Sequence, residues 1–545
     1  MGQRLHRPAA IQQGNETPGW ISYGDRRSCA YPSSVHIARF ALVLIVSFAL
    51  SAPAALPAHA QAFDLPALGE AGSEELPPGL ERKLGEQIMA QIRRDPDYLA
   101  DPESTEYLNH LGYQLVSVSA ARTNDFSFFI VRDPMLNAFA LPGGFIGVHT
   151  GLVIAAQTES ELAGVIAHEI GHVSQRHIAR MLAGQKDSMA IQIGALLLAI
   201  LAARAGGSSS GDLAQAAIMG GQAAAIQQQL NFSREAEREA DRVGFVTLVN
   251  AGFDGRGLEG FFGRLQQGSR LYEGTAPAYL RTHPMTVERI SDMQNRTRNL
   301  RFKQRPDPLD FYLVRARLRV LQEVNSQGWL DQLEYFNGQL KQRTAGSDVA
   351  AHYGAALAAL KLNKPDLALE SALAARRLTT ASSVILDKLV SETRFAAAKS
   401  EEERRAALEA ARDGAARYPL STVAVAHYID LLNKSKQHQQ AIETLRTQAA
   451  ITRAQPGYYA LLGRSYEALG KQSLHHQSIG EMYALLGIKP AALQQMELAR
   501  RANDGDFYTM SEIDARVREL QADILREQEA MRASGRTSQE GKPSR

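Results

Sequence analysis

The segment His168-Glu169-Ile170-Gly171-His172 constrains the fold of this chain more than any other. Two histidines four positions apart project from one face of an α-helix, so both imidazoles can reach a single metal ion. Apolar residues from Leu162 to Val173 recur at helical spacing, and Ser160 can cap the N-terminus. The sequence therefore predicts one helix from Ser160 to Leu182. The competing interpretation is a solvated helix face with two ordinary histidines.

The residues of this motif are suited to hydrolysis at a zinc ion. Zn²⁺ lowers the pKa of a water molecule toward about 7, and Glu169 is placed to take the proton of that water rather than to bind the metal. A catalytic zinc with two histidine ligands needs a third protein ligand and one open position. The motif therefore predicts that a second element supplies one more ligand.

An acidic run further along the chain offers that ligand. Glu235, Glu237 and Glu239 all lie on a predicted helix from Asn231 to Asn250, and spacing alone does not choose among them. Glu237 and Asp241 are again four positions apart, so one can bind metal while the other accepts an N–H from a ligand histidine. An acidic run of this kind is otherwise typical of a solvated helix face.

Length and composition limit the number of domains and the kinds of site that the chain can have. With 545 residues, the chain is long enough for two or three domains. A formal net charge of +2 gives no general indication of nucleic-acid binding, and we expect none. A single cysteine excludes a disulfide scaffold and a cysteine-rich zinc site.

The N-terminal region is typical of an export signal. An apolar run, Phe40–Leu50, is shorter than a membrane-spanning helix and is followed by Ala58-His59-Ala60, an A-x-A cleavage pattern. We predict a signal peptide over 1–60, with an N-terminal membrane anchor as the alternative. The polar part before the apolar run is unusually long, and Val35 is a candidate for the true start. The only cysteine, Cys29, lies in this region.

Between the predicted signal and the histidine motif, the pattern indicates helices over 80–119 and then a small group of strands. Short apolar runs at 126–131, 138–141 and 145–148 are separated by turn residues, which predicts a compact β element. After the motif, Met189–Ala203 is the most apolar stretch of the mature chain. It is either a buried core helix or a mobile hairpin that touches a membrane or a client protein.

From Leu309 the chain becomes rich in alanine and leucine, and helix–turn–helix units recur. The triplets Leu362-Asn363-Lys364, Leu432-Asn433-Lys434 and Leu469-Gly470-Lys471 are interpreted as equivalent turns. Their spacing is close to multiples of a repeat of about 34 residues. The pattern favours tetratricopeptide-like repeats over an unrelated all-α domain.

The two halves together resemble a known family. The H-E-x-x-H motif followed by Ser233-Arg234-x-x-Glu237-x-x-x-Asp241 resembles the M48 family of zinc metallopeptidases. An export signal in front and helical repeats behind are similar to its periplasmic branch, the beta-barrel assembly-enhancing proteases of Gram-negative bacteria. The resemblance implies a mainly α fold: a zincin-like metallopeptidase domain with a small β element, followed by an all-α tetratricopeptide-like repeat domain. The boundaries we predict are 1–60 for the signal peptide, 61–300 for the peptidase domain, 301–308 for a linker, 309–531 for the repeats and 532–545 for a disordered tail.

The resemblance also implies roles for individual residues. It places one Zn²⁺ per chain on His168, His172 and Glu237, with Glu169 as the base and Asp241 supporting the site. It implies that an edge strand at Asn137, Ala138 and Phe139 aligns the substrate by strand addition.

A His-Pro pair at His283-Pro284, followed by Arg289, also matches this family. Such a histidine can act as a fourth metal ligand that silences the enzyme, or it can assist catalysis by stabilising an oxyanion. The alternative without a role at the metal is that His283-Pro284 marks a helix N-terminus, because proline suits a first helical position.

These expectations define a function to test. The chain is predicted to be a periplasmic zinc endopeptidase, soluble or peripherally attached to a membrane through 189–203. Its substrates would be misassembled outer-membrane proteins, and its repeats would bind clients or the outer-membrane assembly machinery. The alternative is a periplasmic chaperone or scaffold that carries a latent protease site.

Overall fold

The chain is built mainly of α-helices with one small β-sheet, as the sequence predicts. The computed structural model describes residues 76–121, 125–183, 234–271, 279–280, 283–298, 300, 305–447 and 455–540. The predicted signal peptide (1–60) and the apolar stretch 189–203 lie outside the described residues. In the part of the chain that is described, no helix has both the length and the apolar character needed to cross a membrane.

The N-terminal half combines helices with the sheet. Its elements are α1 (Pro78–Ile92), α2 (Pro102–Val116), β1 (Ser127–Val131), β2 (Ala138–Leu141), β3 (Phe145–His149), α3 (Thr150–Ala155), α4 (Glu159–Ser174), α5 (His177–Ala183), α6 (Arg234–Asn250), α7 (Arg256–Leu271) and α8 (Val287–Arg298).

The sheet has the order β1-β3-β2. β2 and β3 form an antiparallel hairpin across Gly143 and Gly144, both of which have positive φ angles that favour glycine. β1 pairs with β3 in parallel, from Ser127 opposite Phe145 to Val131 opposite His149. β2 is therefore an edge strand among the described residues, and it packs against α4.

The helix predicted from Ser160 to Leu182 is wrong in its extent. α4 begins one residue earlier, where the Thr158 side chain accepts a hydrogen bond from the Glu161 N–H. It ends at Ser174, because Arg176 adopts a left-handed conformation with φ 52° and breaks the helix. The chain then restarts as α5 at His177 in a new direction.

The C-terminal half consists of helices that pack in consecutive pairs. They are α9 (Leu309–Leu321), α10 (Ser326–Gln342), α11 (Asp348–Lys361), α12 (Pro365–Arg377), α13 (Val384–Ala397), α14 (Glu401–Arg417), α15 (Thr422–Lys434), α16 (His438–Thr447), α17 (Pro456–Ala468), α18 (Gln472–Leu485), α19 (Lys489–Ala502) and α20 (Phe507–Glu540).

Residues with positive φ angles mark equivalent turns between these helices. Asn363, Lys436, Gly470 and Asn503 all have φ between 50° and 72°, and the last three are 34 and 33 positions apart. This spacing is that of tetratricopeptide-like repeats. The sequence assigned the middle turn to residues 432–434, but these lie in the last turn of α15, and the turn follows at 435–437.

The C-terminal tail also differs from the prediction. A disordered segment is predicted from residue 532, whereas α20 continues to Glu540. The described part of the predicted linker, 305–308, forms neither helix nor strand.

One apolar core joins the two halves. Buried side chains of α2, the sheet and α4 belong to the same cluster as buried side chains of α9, α11 and α13. Buried charges follow the same path. Arg317 of α9 donates to Asp101, which caps α2, at 2.8 Å, and Lys388 of α13 contacts Glu103 at 2.7 Å. The predicted peptidase and repeat segments therefore share an interior.

Candidate metal centre

Two helices cross closely at the predicted site. A Cβ atom on Gly244 of α6 would lie 2.9 Å from the backbone of His168 on α4, and one on Gly171 would lie 3.0 Å from the Ala240 carbonyl oxygen. Since real Cβ contacts are not this short, the absence of a side chain at both positions allows the close crossing. The crossing brings the histidine motif of α4 against the acidic face of α6.

Four ligand atoms converge at this crossing. One ring nitrogen each of His168, His172 and His283 and a carboxylate oxygen of Glu237 lie within 4.8 Å of one another. The Nε2 atoms of His168 and His172 are 3.0 Å apart, and Glu237 Oε1 lies 3.4 Å from His172 Nε2 and 3.0 Å from His283 Nδ1. Ligands about 2.1 Å from a tetrahedral zinc would be about 3.4 Å apart, so these separations fit one such ion.

Burial and charge support the same conclusion. His168, Glu169 and His172 are 0% exposed, and Glu237, Asp241 and His283 are at most 2% exposed. Burial lowers the pKa of His172 well below its usual value, which leaves the ring neutral and able to donate a lone pair. Glu237 and Asp241 both have lowered pKa values and face one arginine, Arg289. An ionised Glu237 and a neutral His172 are the donor forms that a divalent cation binds.

The two carboxylates have different partners. Burial alone would raise the pKa of Glu237, but the charge of His283 and hydrogen bonds with His172 and His283 hold it far below its usual range. Asp241 Oδ1 lies 2.9 Å from His168 Nδ1, and Asp241 accepts two hydrogen bonds from Arg289 at 2.6 and 2.8 Å. Asp241 therefore orients a ligand, while Glu237 lies among the ligand atoms.

Glu169 lies beside the cluster. Burial is the main reason that its pKa is raised, although the charges of His283 and His168 oppose the change. Its Oε1 atom is 3.5 Å from His283 Nε2. A carboxylate with a raised pKa next to a metal centre is suited to taking up and releasing a proton.

His283 is part of the cluster. Its Nδ1 atom is 3.4 Å from His168 Nε2, and its ring stacks on Tyr279 with ring centroids 4.6 Å apart. Burial opposes a charge on this ring, but the carboxylates of Glu237 and Glu169 raise the pKa of His283 overall. Tyr279 lies outside every motif, so sequence reasoning does not identify it.

Three acidic residues competed as ligands on spacing alone, and the structure separates them. Glu235 is exposed and pairs with Arg238 one turn away. Glu239 lies on another side of α6, where its Oε2 contacts His177 at 3.0 Å and Arg180 at 2.7 Å. Only Glu237 of the three reaches the cluster.

His177 is interpreted from its spacing as a residue off the ligand face. His177 lies outside the four-ligand cluster, as this spacing indicates, but its Nδ1 atom is 2.9 Å from His172 Nδ1. The break at Arg176 explains this contact, because it turns the chain back toward His172. No residue type in the sequence marks this break.

The predicted substrate strand borders the site. The backbone of Ala140 in β2 interacts with the Glu169 carboxylate, so the strand passes next to the proposed base. Ala138 is buried, whereas Phe139 is half-buried. Asn137 precedes the strand, and its side chain lies 3.4 Å from His149 Nε2.

The match to a family model coincides with this geometry. The model of peptidase family M48 matches residues 102–297, a range that includes the four converging ligands and Glu169. These residues form an M48 peptidase domain. The M48 family implies a divalent metal, and the buried cluster of three histidines and one glutamate provides a site that fits one.

Curated relatives match a little over half of this chain. A putative beta-barrel assembly-enhancing protease of Vibrio cholerae serotype O1 is 37% identical over 333 residues, which cover 59% of this chain and 66% of the relative. The beta-barrel assembly-enhancing protease of Escherichia coli K12 is 34% identical over 332 residues, which cover 60% and 65%. The matches thus span just under two thirds of these relatives.

Solved structures of helical repeat proteins are also similar to part of this chain. A tetratricopeptide repeat protein, YrrB, described as having an unusual peptide-binding site, matches 38% of this chain and 91% of its own length. The TM-score is 0.21 and the sequence identity 14%.

Proposed function

We propose that this protein is a zinc endopeptidase that acts on misassembled outer-membrane proteins in the periplasm. The observation that carries the proposal is the buried convergence of His168, His172 and Glu237 with Glu169 beside them. The M48 match over the same residues supports it.

His168, His172 and Glu237 would hold one Zn²⁺. Bound there, the ion would supply a Lewis acid that polarises a peptide carbonyl and lowers the pKa of a water molecule. Asp241 Oδ1 lies 2.9 Å from His168 Nδ1, so it would fix that ring with Nε2 directed to the other ligands. Arg289 in turn holds Asp241 through two hydrogen bonds.

Glu169 would carry the proton. Its carboxylate is fully buried and has a raised pKa, so its protonated form is closer in energy to its ionised form than for an exposed glutamate. In peptide hydrolysis it would take a proton from water and then give it to the leaving amine. The amide variant Glu169→Gln keeps the shape of this side chain but cannot perform either transfer.

The edge strand β2 would align the substrate. Among the described residues it pairs on one side only, with β3, and it packs against the helix that carries Glu169. An extended peptide added to this edge would run past the proposed base. Substrates would then need an unfolded segment, which misassembled membrane proteins expose.

The names of the relatives indicate the biological setting. The curated relatives are beta-barrel assembly-enhancing proteases, so we propose that this chain also works in the assembly of outer-membrane proteins. The helical hairpins from Leu309 onward would bind clients or components of the assembly machinery. The signal peptide predicted over 1–60 would export the chain.

A specific observation favours a second candidate, a chaperone or scaffold with a latent protease. His283 lies among the ligand atoms, 3.0 Å from Glu237 Oε1, and a fourth protein ligand would fill the position that a water or substrate needs. Client or partner binding could release His283 only through a higher affinity for the open state.

Cleavage of casein by the zinc-loaded protein tests the proposal. We expect the wild type to cleave and Glu169→Gln to keep its metal but lose cleavage. Glu235→Gln is a matched control, because Glu235 is an exposed glutamate two residues from Glu237. Equal cleavage by wild type and Glu169→Gln would refute the assignment of the base. No cleavage by a zinc-loaded wild type or by its His283→Ala variant would favour the scaffold.

A further inference from the structure

The second ring nitrogen of His172 has an unusual partner. Its Nε2 atom points to the other ligands, and its Nδ1 atom lies 2.9 Å from Nδ1 of a second histidine, His177. Metal-binding histidines generally donate this second N–H to a carboxylate, a backbone carbonyl or water. Here a further imidazole occupies that place.

The contact continues beyond His177. Its Nε2 atom is 3.0 Å from Glu239 Oε2, and Arg180 donates to the same oxygen at 2.7 Å. His177 is 3% exposed, so water does not reach the residue that connects Glu239 to His172. The break at Arg176 makes this geometry, since it turns α5 back toward the ligand helix.

The position of each proton follows from these contacts. To bind a metal through Nε2, a neutral His172 must carry its proton on Nδ1. The His172 Nδ1–H group then donates a hydrogen bond to His177 Nδ1. A neutral His177 whose Nδ1 accepts must carry its own proton on Nε2. That N–H points at Glu239, an acceptor, and Arg180 keeps this carboxylate charged.

We propose that His177 and Glu239 are positioning residues that fix the metal-binding tautomer of His172. The hydrogen bonds run in one direction, from His172 Nδ1–H to His177 and from His177 Nε2–H to Glu239. The arrangement holds the His172 ring in place and makes Nε2 a better donor to the metal. This inference rests on the proposed zinc site, and its test separates the two.

Two amide substitutions distinguish orientation of His172 from simple filling of space. The Asn oxygen is as many bonds from Cβ as His Nδ1, so His177→Asn can still accept from His172. The Gln amide nitrogen is as many bonds from Cβ as His Nε2, so His177→Gln can still donate to Glu239 but loses His172. If His177 only filled space or only bound Glu239, His177→Gln would bind zinc more tightly than His177→Asn.

Zinc affinity of the full chain, measured by competition with a chromophoric chelator, is the first measurement. We expect His177→Ala and His177→Gln to weaken zinc binding by about 10–100-fold. His177→Asn should lie closer to wild type than to His177→Ala. Glu239→Ala should weaken binding, whereas Glu235→Ala, an exposed residue on the same helix, should leave it unchanged.

Other results would overturn the inference. Wild-type affinity in His177→Ala, or an order in which the glutamine variant binds more tightly than the asparagine variant, contradicts a role through His172. A second measurement, the imidazole ¹H–¹⁵N spectrum of the zinc-loaded wild type, does not depend on whether any variant folds. It should show the His177 proton on Nε2, and a proton on Nδ1 would refute the proposal. A wild type that binds no zinc would instead refute the proposed function.

Discussion

The ion pair between Asp101 and Arg317 connects the two halves of the chain, and its removal should be costly. Both side chains are buried, and Arg317 donates to both carboxylate oxygens of Asp101. Burial opposes ionisation, but the charge and hydrogen bonds of Arg317 outweigh it and lower the pKa of Asp101 from 3.8 to about 2. That difference corresponds to about 2 kcal/mol of stabilisation.

Asp101→Asn removes the charge but keeps a side chain that can cap α2 through the Ser104 N–H. Breaking a buried pair usually costs about 3–5 kcal/mol. Arg317 keeps a second anion, Glu103, at 2.9 Å, so we expect the lower figure of about 2–3 kcal/mol in the free energy of unfolding at pH 7. Urea denaturation followed by circular dichroism measures it.

The same pair predicts a pH dependence. Because the pKa of Asp101 is lower in the folded protein, its stabilisation is complete above about pH 4 and is lost as the pH falls toward 2. The difference between wild type and Asp101→Asn should shrink over that range. Asp366→Asn is the control, since Asp366 forms an exposed pair with Lys399 and should change stability by less than about 0.5 kcal/mol. Equal effects of both variants at pH 7 would refute the reasoning.

Three other changes test separate parts of the structure. Burial and the charge of Lys388 lower the pKa of His427 to about 4. The free energy of unfolding should therefore fall by up to about 3 kcal/mol between pH 6.5 and 4, and urea denaturation of His427→Gln should lack this pH-dependent decrease. Gly244→Ala places a Cβ against the backbone of His168 and should cost about 1–3 kcal/mol of stability in urea denaturation and weaken zinc binding; unchanged zinc affinity would contradict the importance of the close crossing. His283→Ala should raise the initial rate of casein cleavage at equal zinc content, whereas a fall in that rate would favour stabilisation of an oxyanion by His283.

Local periodicity predicts most of the helices and strands of this chain. The apolar spacing around His168 and the runs of the sheet depend on neighbouring residues, and the structure has a helix and strands at those places. The parallel pairing of β1 with β3 is a contact between distant residues, so the sequence pattern alone does not specify it.

The candidate site shows a similar limit. The H-E-x-x-H pattern brings His168 and His172 to one helix face by geometry alone. The choice of Glu237 among three glutamates depends on how α6 packs on α4, and the sequence does not state that packing. The contact of His177 with the second ring nitrogen of His172 could not be predicted, because a left-handed residue, Arg176, ends the helix without a glycine or proline to signal it.

The shared interior of the two halves has the same origin. Asp101 is an ordinary helix cap in the sequence, and Arg317 is one of several basic residues in a predicted repeat. Nothing in their local pattern pairs residues more than 200 positions apart. Their burial together becomes apparent only when α2 packs against α9.

The metal content of the purified protein, produced without residues 1–60, tests the central claim most directly. Elemental analysis should find about one Zn²⁺ per chain in the wild type and in Glu235→Ala. Glu237→Ala should lose the zinc, because it removes the only carboxylate among the four converging ligands while leaving the neighbouring acidic residues in place. Full zinc occupancy in Glu237→Ala, or a wild type without zinc, would contradict the account.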